Sequence, residues 1–374
     1  MSAASADAPW TIPVCVAYGG KLEGEACKLL SASESVLELP ASAGCPDWAI
    51  PNIRGDGYYR VALTDRERQR LRIRGLELLP AHARRAYAAT VAREYQRGAI
   101  PFAEALDTLA ERAADDTELL GAATDLLLDA KAILGPAFHD KIERHARRLC
   151  GTQLARVGRD ALANEPRERA VLRREVIRCL TLAGRDRELR LEARQRARTH
   201  FERAADAAPT SFGAFEEVAM QVLGEDGEPA DFDRLLGLAG GSDSRRERAK
   251  TALAFAQDAT LVDGLQAPPR TEDRVAILHQ RFAVAHLAGA NWDWLASNDG
   301  AVLRELMAWE GWPLRVVERL CDARRLAQAE ASLPPLGRTP KQSETIQAAL
   351  AQARACAGPR ASHEAEMRAY FTTR

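Results

Sequence analysis

At Thr64-Asp65 the hydrophobic pattern changes period, and it does not change back. Upstream, apolar residues fall in short alternating runs bounded by glycine, the pattern of strands and turns. Downstream they recur at helical spacing: Leu71, Leu76, Leu78 and Leu79, then Tyr87, Val91 and Tyr95, then Phe102, Leu106 and Leu109. Thr64 reads as the N-cap of the first helix, with acidic residues in its opening turn. Punctuation follows at Pro80, Gly98, Pro101, Gly135-Pro136, Glu165-Pro166, Gly184, Pro209, Gly224 to Pro229, Gly240-Gly241, Pro268-Pro269, Gly311 to Pro313, Pro334-Pro335 and Gly358-Pro359. Segments of about ten to twenty residues between such breaks suit paired helices.

The chain therefore divides into residues 1–9, a disordered or appended N-terminal stretch, residues 10–63, a small β-sandwich, and residues 64–374, an α-helical superhelical domain. The expected strands are Trp10–Ala17, Glu25–Leu30, Ser35–Leu39, Trp48–Asn52 and Tyr58–Ala62. The last two form a hairpin around Gly55, Asp56 and Gly57, residues that tolerate positive φ. About fifty-five residues make a marginal core, so this module should lean on a neighbour. Helix pairs without a strict repeat suggest an irregular α-solenoid of HEAT/armadillo-like character, giving a mainly α fold with a concave face.

Trp10-Thr11-Ile12-Pro13-Val14, then Trp48…Pro51-Asn52…Gly57-Tyr58-Tyr59-Arg60-Val61, then a helical remainder, resembles the C-terminal half of zinc aminopeptidases of the aminopeptidase N family. Leu79-Pro80 with Arg84-Arg85-Ala86-Tyr87, the segment Gly98 to Leu106, and Asn291-Trp292-Asp293-Trp294-Leu295 extend the likeness. From about Gly135 to Gly240 it rests on helical character alone. The resemblance implies a β-sandwich and a helical domain like that of endoplasmic-reticulum aminopeptidases, both lying beyond a catalytic zinc domain. It implies that the intact enzyme removes N-terminal residues from peptides and that the helical part caps the active site and controls peptide access. The partners implied are that N-terminal catalytic metallopeptidase domain and peptides.

Such an enzyme needs His-Glu-x-x-His on a helix, a downstream glutamate and a Gly-x-Met-Glu-Asn strand. None occurs, so no catalytic or metal residue is assigned; no cofactor belongs to this chain, and zinc belongs to the parent enzyme. His279 and His286 lie two helical turns apart, but no carboxylate or thiol at matching spacing makes them a ligand pair. Gly-x-Ser-x-Gly is absent, and Gly237 to Gly241 lacks the ending of a phosphate loop, reading instead as a helix stop. Some family members use an arginine or lysine for the peptide carboxylate. Arg315, Arg319, Arg324 and Arg325 occupy the corresponding portion of the chain. Trp48, Asn52, Gly57, Tyr58, Tyr59 and Arg60 are expected to build the joint between β-module and helices, with Trp292, Trp294, Trp309 and Trp312 as core.

Lys and Arg number 52 against 53 Asp and Glu, a formal charge of −1, which removes the electrostatic case for nucleic acid. Mixed-charge runs, Arg66 to Arg70 and Arg185 to Arg190, read as solvated helix faces. Seven cysteines, at 15, 27, 45, 150, 179, 321 and 356, form no Cys-x-x-Cys pair. Their odd number and scatter fit free thiols of a reducing compartment, although Cys15, Cys27 and Cys45 share the β-module. No leader and no membrane-length apolar run is read, so the expectation is a soluble chain, cytoplasmic in preference, its address otherwise unknown. The alternative is a stand-alone α-solenoid scaffold that holds a protein or peptide partner in its groove.

Overall fold

The computed structural model describes residues 11–373 apart from 20–23, 33, 40–44, 53–56, 58, 60, 73–78, 80, 112, 114–115, 204–211, 241–244, 258–270, 298–302, 305–306 and 308–313. The chain is mainly helical, with one small antiparallel sheet near its start. It forms two compact units, Met1–Ala123 and Thr124–Arg374.

In the first unit, β1 (Ile12–Gly19) is the central strand, flanked by β2 (Gly24–Leu30) and β3 (Trp48–Pro51). Cys15 stands opposite Cys27 across β1 and β2, and Ala17 opposite Ile50 across β1 and β3. Ala17, Tyr18, Trp48 and Ile50 are buried, whereas β2 is mostly exposed and leaves Leu29 in solvent. The sheet is single among the described residues, a correction to the expected sandwich. Residues 35–39 lie in no strand, and neither do Tyr59, Val61 and Ala62. The backbone instead leaves β3 through Asn52, held at φ +56° while its amide bonds both the N–H and the C=O of Gly57. That local turn takes the hydrogen bonds a hairpin would have used.

Helix α1 (Asp65–Arg70) starts where the sequence predicts. Thr64 accepts from the Glu67 amide and the Glu67 carboxylate accepts from Thr64 N–H at 2.7 Å, a reciprocal cap. Helix α2 (Ala81–Gln96) and α3 (Phe102–Ala110) meet through Tyr95 and Phe102, whose rings lie edge to face at 5.7 Å. Gly98, at φ +71°, makes the turn between them. Asp116 then accepts from the Glu118 and Leu119 amides at the start of α4 (Thr117–Leu134) and also binds Arg84.

In the second unit, α5 (Pro136–Val157) and α6 (Arg167–Arg178) begin at the predicted proline stops, and α6 runs into a buried π-helical turn, Cys179–Ala183. Helices α7 (Arg187–Glu202), α8 (Ala219–Asp226), α9 (Pro229–Ala239), α10 (Arg246–Ala254) and α11 (Thr271–Phe282) pack chiefly on near neighbours in sequence. Then come α12 (Ala288–Ala296), α13 (Leu314–Val317), α14 (Ala323–Ser332) and α15 (Pro340–Thr373). Trp292, Phe282, Leu295, Val317 and Ile346 form their shared core.

Helix α15 runs through Gly358-Pro359, where the sequence predicts a break. Both halves are held by tertiary packing: Ile346, Leu350 and Ala353 sit in that core, while Tyr370 and Phe371 lie edge to face against His145 of α5. Burial at both ends outweighs the hydrogen bond that a proline removes.

The cysteines also depart from expectation. Cys15–Cys27, Cys150–Cys179 and Cys321–Cys356 are disulfides, leaving Cys45 free and exposed. The first crosses β1 and β2 at directly opposed positions. The other two join residues 29 and 35 apart in sequence, a proximity created by helix packing and invisible in the spacing. No described helix is long and apolar enough to cross a membrane.

Candidate functional site

The second unit concentrates its polar side chains along α7. Arg190, Arg194 and Arg198 are spaced four apart and so share one face. They meet the end of α8 and the start of α9. Arg190 donates to Asp226 at 2.7 Å, to Glu225 at 3.0 Å and to the Thr181 carbonyl at 3.1 Å. Arg194 donates to the Asp226 carbonyl at 2.9 Å, where the α8 terminus favours a cation. Arg198 grips Asp231 with two bonds, 2.8 and 2.7 Å. Burial works against the Arg190 charge, but the Asp226 and Glu225 carboxylates raise its pKa above the usual guanidinium value. Burial likewise pushes Asp226 up, and the Arg190 hydrogen bond and the Arg190 and Arg185 charges bring it below the usual carboxylate range.

Arg185, forced to φ +45° before α7, adds a further bond to Asp226 at 3.1 Å. Around it opens a cavity of about 280 Å³, lined by Arg185, Arg187, Arg190, Leu191, Arg194 and Asp226. Arg187 is exposed at this cavity. Its chemistry suits an anion, because the guanidinium count exceeds that of the carboxylates among its lining groups.

A second polar group joins α4 and α6. Asp125 and Asp129 are one turn apart on α4, and Arg178 reaches Asp125 at 2.6 Å and Glu175 at 3.0 Å. Protein packed around Asp129, with the Asp125 charge added, pushes its carboxyl up to about 6, although the residue is exposed. Burial raises Asp125 and Glu175 too, and Arg178 offsets part of this. Nearby, Lys131 holds Glu143 at 2.8 Å, and the His286 imidazole lies 3.7 Å from Glu225, its pKa lowered mainly by burial.

The arginines singled out in the sequence are differently placed. Arg315, Arg319 and Arg324 are exposed. Arg325 is committed to Asp293 by bonds of 2.9 and 2.7 Å and is packed beside Gly289. At the proposed joint Trp48 is buried, Asn52 and Gly57 are bonded to each other, and Tyr59 is half-buried; Tyr58 and Arg60 lie outside the described residues. Trp292 is core, with its indole N–H 3.4 Å from Gln328, and Trp294 packs on the same cluster. Trp309 and Trp312 lie outside the described residues. His279 is depressed by burial and Arg315, while His286 faces Glu225.

Both charged runs read as solvated faces hide one buried arginine. Arg68 is 6% exposed, bonded to Glu104, Asp65 and the Leu63 carbonyl, and Arg190 is 5% exposed. The recurrence of arginine at 190, 194 and 198 was the available signal, since solvated helices alternate charge signs along a face more often than they repeat one.

Zinc does not fit these residues. Among the described residues the ligand types converge only at Cys15, Glu25 and Cys27, and both sulfurs there are consumed by their mutual bond. Compared with known proteins, residues 48–355 match the family model described as ERAP1-like C-terminal domain. No curated protein matches the chain.

Proposed function

The chain belongs to the ERAP1-like C-terminal domain family, and from this premise we propose that it is the non-catalytic C-terminal portion of a zinc-dependent aminopeptidase. Its helices stack as an irregular α-solenoid, cap the active site of a metallopeptidase domain and limit which peptides enter. Zinc and the hydrolytic residues belong to that other domain. What carries the reading is the match over residues 48–355 of a chain with no His-Glu-x-x-His.

Arg315, Arg319 and Arg324 are offered to the distal end of a bound peptide, with Arg325 fixing the local backbone through Asp293. The three disulfides support maturation in an oxidising compartment, in place of the cytoplasm the cysteine spacing suggested.

The test uses aminoacyl-anilide and peptide substrates with added zinc. The chain alone should show no turnover. Joined to the metallopeptidase domain, it should narrow the range of peptide lengths cleaved while leaving the anilide rate in place. Turnover by the isolated chain would overturn the proposal, and an unchanged length profile would favour a scaffold that binds some other partner.

A further inference from the structure

The cavity beside α7, about 280 Å³ in volume, has no part in the peptidase reading. Arg187, Leu191 and Arg194 follow one another at helical spacing on α7, so they share one face and Leu191 lies between the two arginines. Arg185 lines the cavity from the turn before this helix, and Asp226 from the end of α8.

The charges around this space do not balance. Asp226 is the carboxylate of the lining, and it already accepts from Arg190 at 2.7 Å and from Arg185 at 3.1 Å. Glu225, its neighbour in the chain, lies 3.0 Å from Arg190 and 3.5 Å from Arg185. Arg190 spends its donors on these two acids and on the Thr181 carbonyl, which removes most of the repulsion an incoming anion would meet. The other arginines keep donors in reserve. Arg187 is exposed and makes no hydrogen bond or ion pair among the described residues. Arg194, half-buried, gives only Nη1 to the Asp226 carbonyl, with Glu228 3.8 Å from the same atom, so its Nε and Nη2 stay unused. Arg185 meets the two acids through its Nη atoms and leaves Nε unused. A lone surface arginine stays hydrated, whereas three with unused donors around one concavity can surround an anion.

The anion can be named by its acceptors. The unused donors outnumber the roughly four lone-pair sites of a carboxylate, and suit a phosphate monoester with its three terminal oxygens and about two negative charges. The volume falls just under the range of whole small-molecule sites, about 300–1,000 Å³, so it encloses a head group and leaves the rest of the ligand outside. Leu191, 47% exposed at this cavity, offers an apolar surface to the carbon next to the phosphate. We propose that this cavity binds a small phosphate monoester, with the phosphate on Arg187, Arg194 and Arg185 and the organic part against Leu191. The site lies wholly within the second unit and does not rest on the peptidase reading.

The experiment is calorimetric titration of the full chain at low salt with phenyl phosphate, inorganic phosphate and benzoate. Phenyl phosphate should bind saturably, inorganic phosphate several-fold more weakly, and benzoate about tenfold more weakly or worse. Arg187→Glu should weaken phenyl phosphate about tenfold or more, the scale of one charge-assisted contact. Arg187 is the first residue of α7, where an acidic side chain is favoured, so this variant reverses the charge without loosening the helix. Arg194→Gln should weaken binding as well, and thermal unfolding of each variant separates lost affinity from lost fold. Arg338→Glu changes an exposed arginine outside the cavity and should leave affinity as it was. Absence of saturable binding, benzoate or inorganic phosphate bound as tightly as the ester, or affinity indifferent to Arg187→Glu would overturn the proposal. Equal losses for Arg187→Glu and Arg338→Glu would overturn it too, by showing diffuse charge attraction in place of a site.

Discussion

Arg190 on α7 donates its Nε–H to the Asp226 carboxylate at 2.7 Å, tying a helix interior to the last residue of α8 from a position 5% exposed. The same guanidinium serves Glu225 and the Thr181 carbonyl, so its three nitrogens all have acceptors. Removing it takes one of two guanidinium partners from Asp226 and Glu225, Arg185 remaining to both, and a donor from the Thr181 carbonyl. Arg190→Ala should lower the unfolding free energy of the second unit by about 1.5–3 kcal/mol, the scale of hydrogen bonds to charged groups. Urea denaturation followed by circular dichroism reads this. A midpoint unchanged from the parent would mean that water solvates these carboxylates in the folded state.

Asp129 should make the protein less stable as pH rises. Its folded pKa of about 6 lies above the ordinary value of 3.8, so the stabilisation is complete below the ordinary value and is lost as pH climbs through the folded one. Asp129→Asn keeps the neutral form at every pH. The variant should match the parent near pH 4 and exceed its melting temperature at pH 7. A parallel pH profile for both proteins would refute the assignment.

Asp226 and Asp273 titrate in the opposite sense. Burial raises both carboxyls, but the Arg190 hydrogen bond at Asp226, and those of Arg246 and Lys250 at Asp273, bring each below the usual 3.8. Their stabilisation is present above 3.8 and disappears as pH falls through the folded values. Acid unfolding should therefore steepen below about pH 4, near the ordinary aspartate pKa. In Arg190→Ala that steep limb should shallow.

How far the sequence foretold this depends on the range of the interaction. Thr64 with Glu67, the glycine turn at Gly98 and the stops at Gly135-Pro136 and Pro166 are local chemistry, and the helices begin and end there as read. The Gly358-Pro359 step is local chemistry overruled, because Ile346 and Tyr370 anchor the helix on either side of it. Arg68 and Arg190 look like their exposed neighbours in sequence, and only the carboxylates of Glu104 and Asp226, 36 residues away in each case, distinguish them. Arg315, Arg319 and Arg324 were chosen by position along the chain, which says nothing of the side chains facing them. The cavity at Arg187 needs Asp226 of α8 beside the α7 arginines, so spacing along α7 alone does not announce it.

The cysteine count gives a discriminating measurement. Unfolded without reductant, the chain should release one titratable thiol, that of Cys45, and after reduction all seven. Converting Cys150 and Cys179 to alanine together should cost about 3–4 kcal/mol for a closed loop of this length in the chain-entropy account. Seven reactive thiols in protein prepared under oxidising conditions would contradict the pairing.

Two glycines of the second unit should respond to alanine with opposite signs. Gly224 lies within α8, and a Cβ there would strike the Ala252 carbonyl of α10 and press on Phe255. The obstacle is backbone, which cannot rotate aside, so Gly224→Ala should separate the helices and destabilise by about 1–3 kcal/mol. Gly237 is exposed within α9, and a Cβ there meets nothing within 4 Å. Gly237→Ala should stabilise by about 0.5–1 kcal/mol, because alanine has less backbone freedom to lose on folding. Denaturant midpoints of the two single variants and the double variant decide the matter. A Cβ at Gly237 meets nothing within 4 Å, so the two substitutions share no contact and their effects should add. If both substitutions destabilise, the space beside Gly237 is occupied in solution; if neither does, α8 and α10 are farther apart than their glycine contact requires.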